Sequence, residues 1–161
     1  MIVYDGLKSD FLKSVANDTI ALEIRQKILE EMGRRTPDSE FKSWNNSMNF
    51  MYKVISDVEI PEDAGVAIEY KVPQTAKRID FMISGYDAMR RPGMVIVELK
   101  QWDRIKKVES QDALVETFTG GACRKVVHPS YQAWSYAQLL ADYNATVQDE
   151  KIDLKPCASL H

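Results

Sequence analysis

The stretch from Lys77 to Trp102 constrains this chain most. It reads KRIDFMIS, then GYDAMRRPG, then MVIVELKQW: two alternating apolar runs joined by a loop with Gly85, Pro92 and Gly93. Alternation places Ile79, Phe81 and Ile83 on one face of a first strand, and Val95, Val97 and Leu99 on one face of a second. The Gly- and Pro-bearing link suits a loose hairpin better than a helix. Successive side chains of a strand point to opposite sides. Asp80 is therefore expected opposite the Ile79/Phe81 face, while Glu98 and Lys100 share a face. A hairpin symmetric about Met89 sets Asp80 directly across from Glu98, with Cβ atoms about 4.5–5.5 Å apart. Two carboxylates that close repel unless a cation stands between them. A hard divalent ion such as Mg²⁺, which takes carboxylate oxygens and keeps several waters, resolves the conflict. Lys100 can then hold or activate a water beside it. The plainer reading is an edge hairpin with a charged solvent face, where Lys100 pairs with Glu98 or Asp80 for little net stability.

A chain of 161 residues, 45% apolar and 28% charged, suits one globular domain with a proper core. Its net charge of −3 argues against a non-specific, high-affinity nucleic-acid binder, but not against an enzyme whose positive charge is local. Lys77/Arg78, Arg90/Arg91, Arg104/Lys106/Lys107 and Arg124/Lys125 all fall in or after the hairpin, whereas residues 17–63 are acid-rich. Cys123 and Cys157 have no metal or redox spacing and suggest no disulfide framework. Asp5, Lys8 and Asp10 interrupt what would be a signal's apolar region, and no apolar run approaches a membrane span. A cytoplasmic protein is expected.

Residues 9–33 read as helix stopped by Gly33, with Asn17-Asp18-Thr19 as a break that can cap a second helix. Ile20, Ile24 and Ile28, with Ala21, and Leu22, Leu29 and Met32 recur there at helical spacings. A further helix starts at Asp38 or Ser39 and runs to about Val58, with Trp44, Met48, Met51, Tyr52 and Ile55 as a core stripe. Glu40 stands in its first turn, where the helix dipole favours a carboxylate in any case. Val66–Val72 alternates as a strand, giving a three-stranded antiparallel meander with the hairpin, and Glu69 on it reads as a surface residue, with membership of the site as the lesser alternative. The segment after Trp102 reads as polar and irregular at first, with the Thr119-Gly120-Gly121 turn suiting a flexible loop near a substrate. Ser130 reads as the cap of a helix through Val147, with Trp134, Ala137, Leu140 and Ala141 on one side. Gln132 and Tyr136, four apart, lie one above the other. Residues 152–161 read as a last strand against the sheet.

The pattern Asp80-x₁₇-Glu98-x-Lys100 resembles the active-site signature of the PD-(D/E)XK, or restriction-endonuclease-like, nuclease superfamily. Gln132-x-x-x-Tyr136, on a helix after the third strand, resembles its RecB-type branch. Ile79 stands where one common form of the motif has proline. The phrases SEFKSWNNS, IPEDAGVAIEYKVPQTAKRIDFMISG, VELKQW, HPSYQAWSYAQLL and LKPCASLH are similar to the N-terminal region of a bacterial family that continues into a P-loop DNA/RNA helicase-type ATPase. No Gly-x₄-Gly-Lys-Ser/Thr phosphate loop occurs here, so such a motor would lie outside these residues. The chain stops without a closing helix or polar tail, as a piece of a longer protein would.

The resemblance implies an α/β (α+β) fold with a central mixed sheet, an antiparallel meander and flanking helices. It also implies a Mg²⁺- or Mn²⁺-dependent nuclease acting on nucleic acid, DNA first, beside a helicase module, with room for a homodimer. Asp80, Glu98 and the Leu99 carbonyl would hold the metal, with Glu40 near it, and Lys100 would orient the attacking water or stabilise the phosphorane's charge. Gln132 and Tyr136 would position Lys100, the water or the phosphate. Arg78, Lys125 and His128 are the expected nucleic-acid contacts. Two rival readings stay open. One is a catalytically silent nucleic-acid-binding or helicase-docking module, and the other a protein-interaction domain using Trp102 and the Gly120-Gly121 region.

Overall fold

In the computed structural model, which describes residues 1–73 and 75–161, two sheets and five helices alternate along the chain. Strand β1 (Tyr4–Leu7) leads into α1 (Lys8–Ala16), α2 (Ile20–Met32) and α3 (Asp38–Ile55). The meander follows as β2 (Gly65–Lys71), β3 (Arg78–Tyr86) and β4 (Pro92–Lys100). Next come β5 (Ile105–Lys107), β6 (Leu114–Thr119) and β7 (Ala122–Val127), then α4 (Pro129–Tyr143), α5 (Ala145–Asp149) and β8 (Asp153–Leu160). The main sheet has the order β1-β2-β3-β4-β8. All neighbours are antiparallel except β4 and β8, which are parallel. A parallel partner needs a long crossover, and residues 101–152 supply it.

The first three helices form where they were expected. Gly33 ends α2 in the left-handed region, and Asp18 at φ 56° breaks α1 from α2. Trp44, Met48, Met51 and Ile55 of α3 are buried at steps of three and four. With Ile20, Ile24 and Ile28 of α2 and Phe11 of α1 they cover one face of the sheet, meeting Val66, Ile68, Phe81 and Val97. Phe81 is fully buried and meets the Phe11 ring edge-on at 5.4 Å, a geometry worth about 0.5–1.5 kcal/mol beyond its buried area. The other face packs Ile79, Met82 and Ile96 against Tyr136, Ala137 and Leu140 of α4.

Several expectations need correction. Ile79 does not share a face with Phe81, nor Tyr70 and Val72 with Ile68: in each strand the two ends belong to opposite cores. The switch falls at Glu69 and Asp80, where Glu69 takes φ 58°. A left-handed residue turns the strand, so simple alternation fails on either side of it. Residues 105–127 are not irregular but form a second antiparallel sheet, β5-β6-β7. Gly120 and Gly121, at φ 58° and 80°, make its tight two-residue turn rather than a flexible loop. Trp134 and Ala141 lie outside the core, Trp134 stacked at 5.4 Å on Tyr131, while Ala133 and Tyr136 are buried. Leu22, Leu29 and Met32 are exposed, so one stripe of α2 packs rather than two. The cap of α4 is His128, not Ser130: its Nδ1 accepts the Ser130 N–H, and Pro129 fills the first helical position. β1 was not foreseen. Among the described residues no helix is long and apolar enough to cross a membrane.

Candidate active site

The register of the hairpin assembles the site. Phe81 pairs with Val97, and every further pair to Tyr86↔Pro92 keeps the same symmetry about Met89. Continued one step outward, that register sets Asp80 against Glu98. The backbone ladder ends there, and the Asp80 side chain takes over by accepting the Leu99 N–H at 2.9 Å. Lys100, two residues past Glu98 on the same face, donates from Nζ to Glu98 Oε1. The Lys100 carbonyl accepts the His161 N–H at the β8 edge. Along a strand carbonyls alternate, so Leu99 turns its own toward β3 and Asp80.

Glu98 is 1% exposed, and its Oε2 has no hydrogen-bond partner among the described residues. Burial raises its pKa, the neighbouring Asp80 raises it further, and Lys100 opposes both. Asp80 is raised as well, again by burial first, against the pull of the Leu99 N–H and the Lys100 charge. Two carboxyls held this way resist ionising together without a cation.

A cleft of about 220 Å³ opens between α3 and this end of the sheet. Asp80, Leu99 and Lys100 line it from the strands, and Glu40, Ser43, Trp44 and Ser47 from α3. Glu40 does reach the cleft, but Arg34 grips its carboxylate at 2.8 and 3.0 Å. That bond holds its pKa below the usual carboxylate range. On the α4 side Gln132 Nε2 donates to the Tyr136 hydroxyl at 2.7 Å. Tyr136 is buried, its pKa raised by burial and then by the Glu98 and Asp80 charges. The pair thus adjoins the carboxylates, with Lys77 Nζ 5.8 Å from the Tyr136 ring centre.

Of the expected nucleic-acid contacts, only Arg78 lines the cleft. It lies against Glu69 through Nε and 3.7 Å from Glu40 through Nη1. Lys125 is exposed on β7, across from Glu116 in the second sheet, and His128 is occupied in capping α4.

Glu69 is the residue the sequence reading misplaced. It is 4% exposed, not a surface residue, and lines the cleft. Its Oε1 accepts the Trp44 indole N–H at 2.9 Å, and burial pushes its pKa up to about 7 despite Arg78. A left-handed conformation costs a side-chain-bearing residue about 1–2 kcal/mol, and such strain gathers at functional sites. The signal available was a lone Glu at the centre of an apolar strand.

Among the described residues no three His, Cys, Asp or Glu side chains converge as a metal cage. Asp80, Glu98 and the Leu99 carbonyl form a smaller donor set. It fits Mg²⁺, which keeps several waters and takes one or two carboxylates plus substrate phosphates. The unpartnered Glu98 Oε2 is the observation that favours the fit. Compared with known proteins, the chain matches no family model, no curated protein and no solved structure.

Proposed function

We propose that this chain is a metal-dependent nuclease that hydrolyses phosphodiester bonds, with Asp80, Glu98 and Lys100 as its working residues. One observation carries the reading: a half-buried Asp80 and a buried Glu98 meet at the open end of β3 and β4, with a lysine on the second carboxylate. Such a pair costs stability and has no structural need to exist. The order of elements supports the same reading: a helix with an acidic first turn, three antiparallel strands, a helix with the Gln132–Tyr136 pair, and a strand parallel to the third.

Asp80, Glu98 and the Leu99 carbonyl would hold Mg²⁺ or Mn²⁺. When bound, such an ion polarises a phosphate oxygen and lowers the pKa of a coordinated water. Lys100, beside Glu98, would orient the attacking water and balance charge on the phosphoryl oxygens. Tyr136, fixed by Gln132, closes the α4 side against bulk water. Asp80 keeps its hold on the Leu99 N–H and so fixes the edge of β4.

The test is cleavage of labelled single- and double-stranded DNA with Mg²⁺ or Mn²⁺, comparing the wild-type chain with Lys100→Ala. Cleavage that disappears in the variant, with its fold intact, supports the assignment and identifies the substrate class. An inert wild-type chain that still binds DNA would instead favour a binding module built on the same fold.

A further inference from the structure

Three adjacent strands carry carboxylates at one level. The pairs Ile68↔Phe81 and Tyr70↔Ile79 bracket Glu69 opposite Asp80, and the hairpin register sets Glu98 on the far side of Asp80. The nuclease reading uses only the last two. Glu69 is nevertheless as buried as a core residue and is held in a left-handed conformation. Stability alone does not explain this, because a strained, buried carboxylate is a poor way to anchor an arginine.

The two groups that hold Glu69 suggest its purpose. The Trp44 indole fixes one oxygen from α3, and Arg78 lies against the other. Arg78 is 40% exposed at the side chain and lines the same cleft as Asp80 and Lys100. A guanidinium carries five N–H donors in a rigid fork. Glu69 and Glu40 approach it through Nε and Nη1, which leaves donors for a further anion at the cleft mouth. A phosphate oxygen pair matches that fork, and a lysine in its place would not.

Resting on the nuclease reading of this cleft, we propose that Glu69 is a positioning residue that aims Arg78 at a backbone phosphate of the bound nucleic acid. Arg78 makes the contact, and Glu69, fixed by Trp44, sets its direction. Three carboxylates in one row then divide the labour, two toward the bond that is cut and one toward holding the strand.

The experiment titrates the chain with a fluorescein-labelled oligothymidylate in EDTA, so that binding is read without cleavage. Heteronuclear NMR follows the Arg78 Nε–H and Trp44 indole N–H signals with unlabelled oligonucleotide. Both signals should shift with saturation. Arg78→Lys and Glu69→Gln should each weaken binding about tenfold, as loss of one charge-assisted contact does, with other amide signals unchanged. In the metal-dependent assay, Glu69→Gln should raise KM and leave kcat nearly as it was. Binding by Glu69→Gln equal to wild type overturns the proposal, and so does a wild-type chain that binds no oligonucleotide. Cleavage by wild type with normal KM in Glu69→Gln would sink this inference alone. Glu69-dependent binding without any cleavage would sink the nuclease reading alone.

Discussion

Two aspartates at the ends of one strand meet opposite fates. Asp87, just past the end of β3, is exposed and accepts the Met89 and Arg91 N–H groups at 2.8 and 2.9 Å and the Arg91 Nε at 2.7 Å. Those bonds, the Arg91 backbone first, hold its pKa below the usual range. Asp80, near the start of the same strand, also has a backbone donor and a lysine nearby, yet its pKa is raised. Burial makes the difference. A turn aspartate in water is stabilised by every donor it meets, whereas a half-buried one beside Glu98 is not fully compensated by Leu99 and Lys100. The space beside Asp87 is about 450 Å³, and the cleft beside Asp80 about 220 Å³. What singles out the smaller one is unsettled charge.

The contrast can be broken most sharply by activity. Asp80→Ala should lower metal-dependent cleavage by at least about a thousandfold, roughly 4 kcal/mol of transition-state stabilisation. Asp87→Ala should cleave at close to the wild-type rate. Equal losses in the two, with folds intact by circular dichroism, would erase the distinction.

Next comes pH. Burial pushes the Glu69 pKa up to about 7 in the fold, from an ordinary value of 4.5. A raised carboxyl binds its proton more tightly when folded, so its contribution is fully present below about pH 4.5 and is lost as pH rises through about 7. The loss is on the order of 3 kcal/mol. Asp80 and Glu98 act in the same sense, and Glu40, whose pKa is lowered, in the opposite one. Urea unfolding at pH 5 and pH 8 should show the wild-type chain less stable at pH 8, and Glu69→Gln should flatten that slope. A slope unchanged in the variant would refute the assignment to Glu69.

Smaller still is the effect of neutralising Asp80. Asp80→Asn keeps an acceptor for the Leu99 N–H and removes the charge, so it should raise stability by about 1 kcal/mol at pH 8 in denaturant unfolding while activity falls. Asp87→Asn should do the reverse in a minor way, weakening the turn without touching activity.

The hairpin was legible because its apolar pattern and its centre at Met89 agree, so the facing of Asp80 and Glu98 follows from arithmetic on a period of two. The meander followed from the same alternation. The second sheet was missed because Ile105–Lys107 and Ala122–Val127 are almost wholly exposed and carry no buried stripe to read. The Gly120-Gly121 turn and the alternation of Val115 and Thr117 in β6 were its signals. Glu69 was missed for a deeper reason. Its burial depends on a left-handed backbone and on an indole from α3, and neither is encoded in the local pattern of β2. Ile79 misled for the same cause, since the strand turns at the level of Glu69 and Asp80.

The central claim is that Asp80 and Glu98 together hold a divalent cation, and calorimetric titration of the chain with Mn²⁺ tests it most directly. The account predicts saturable binding that disappears in both Asp80→Asn and Glu98→Gln while Glu40→Gln retains it. No heat of binding in the wild-type chain, or binding that survives both substitutions, would contradict it.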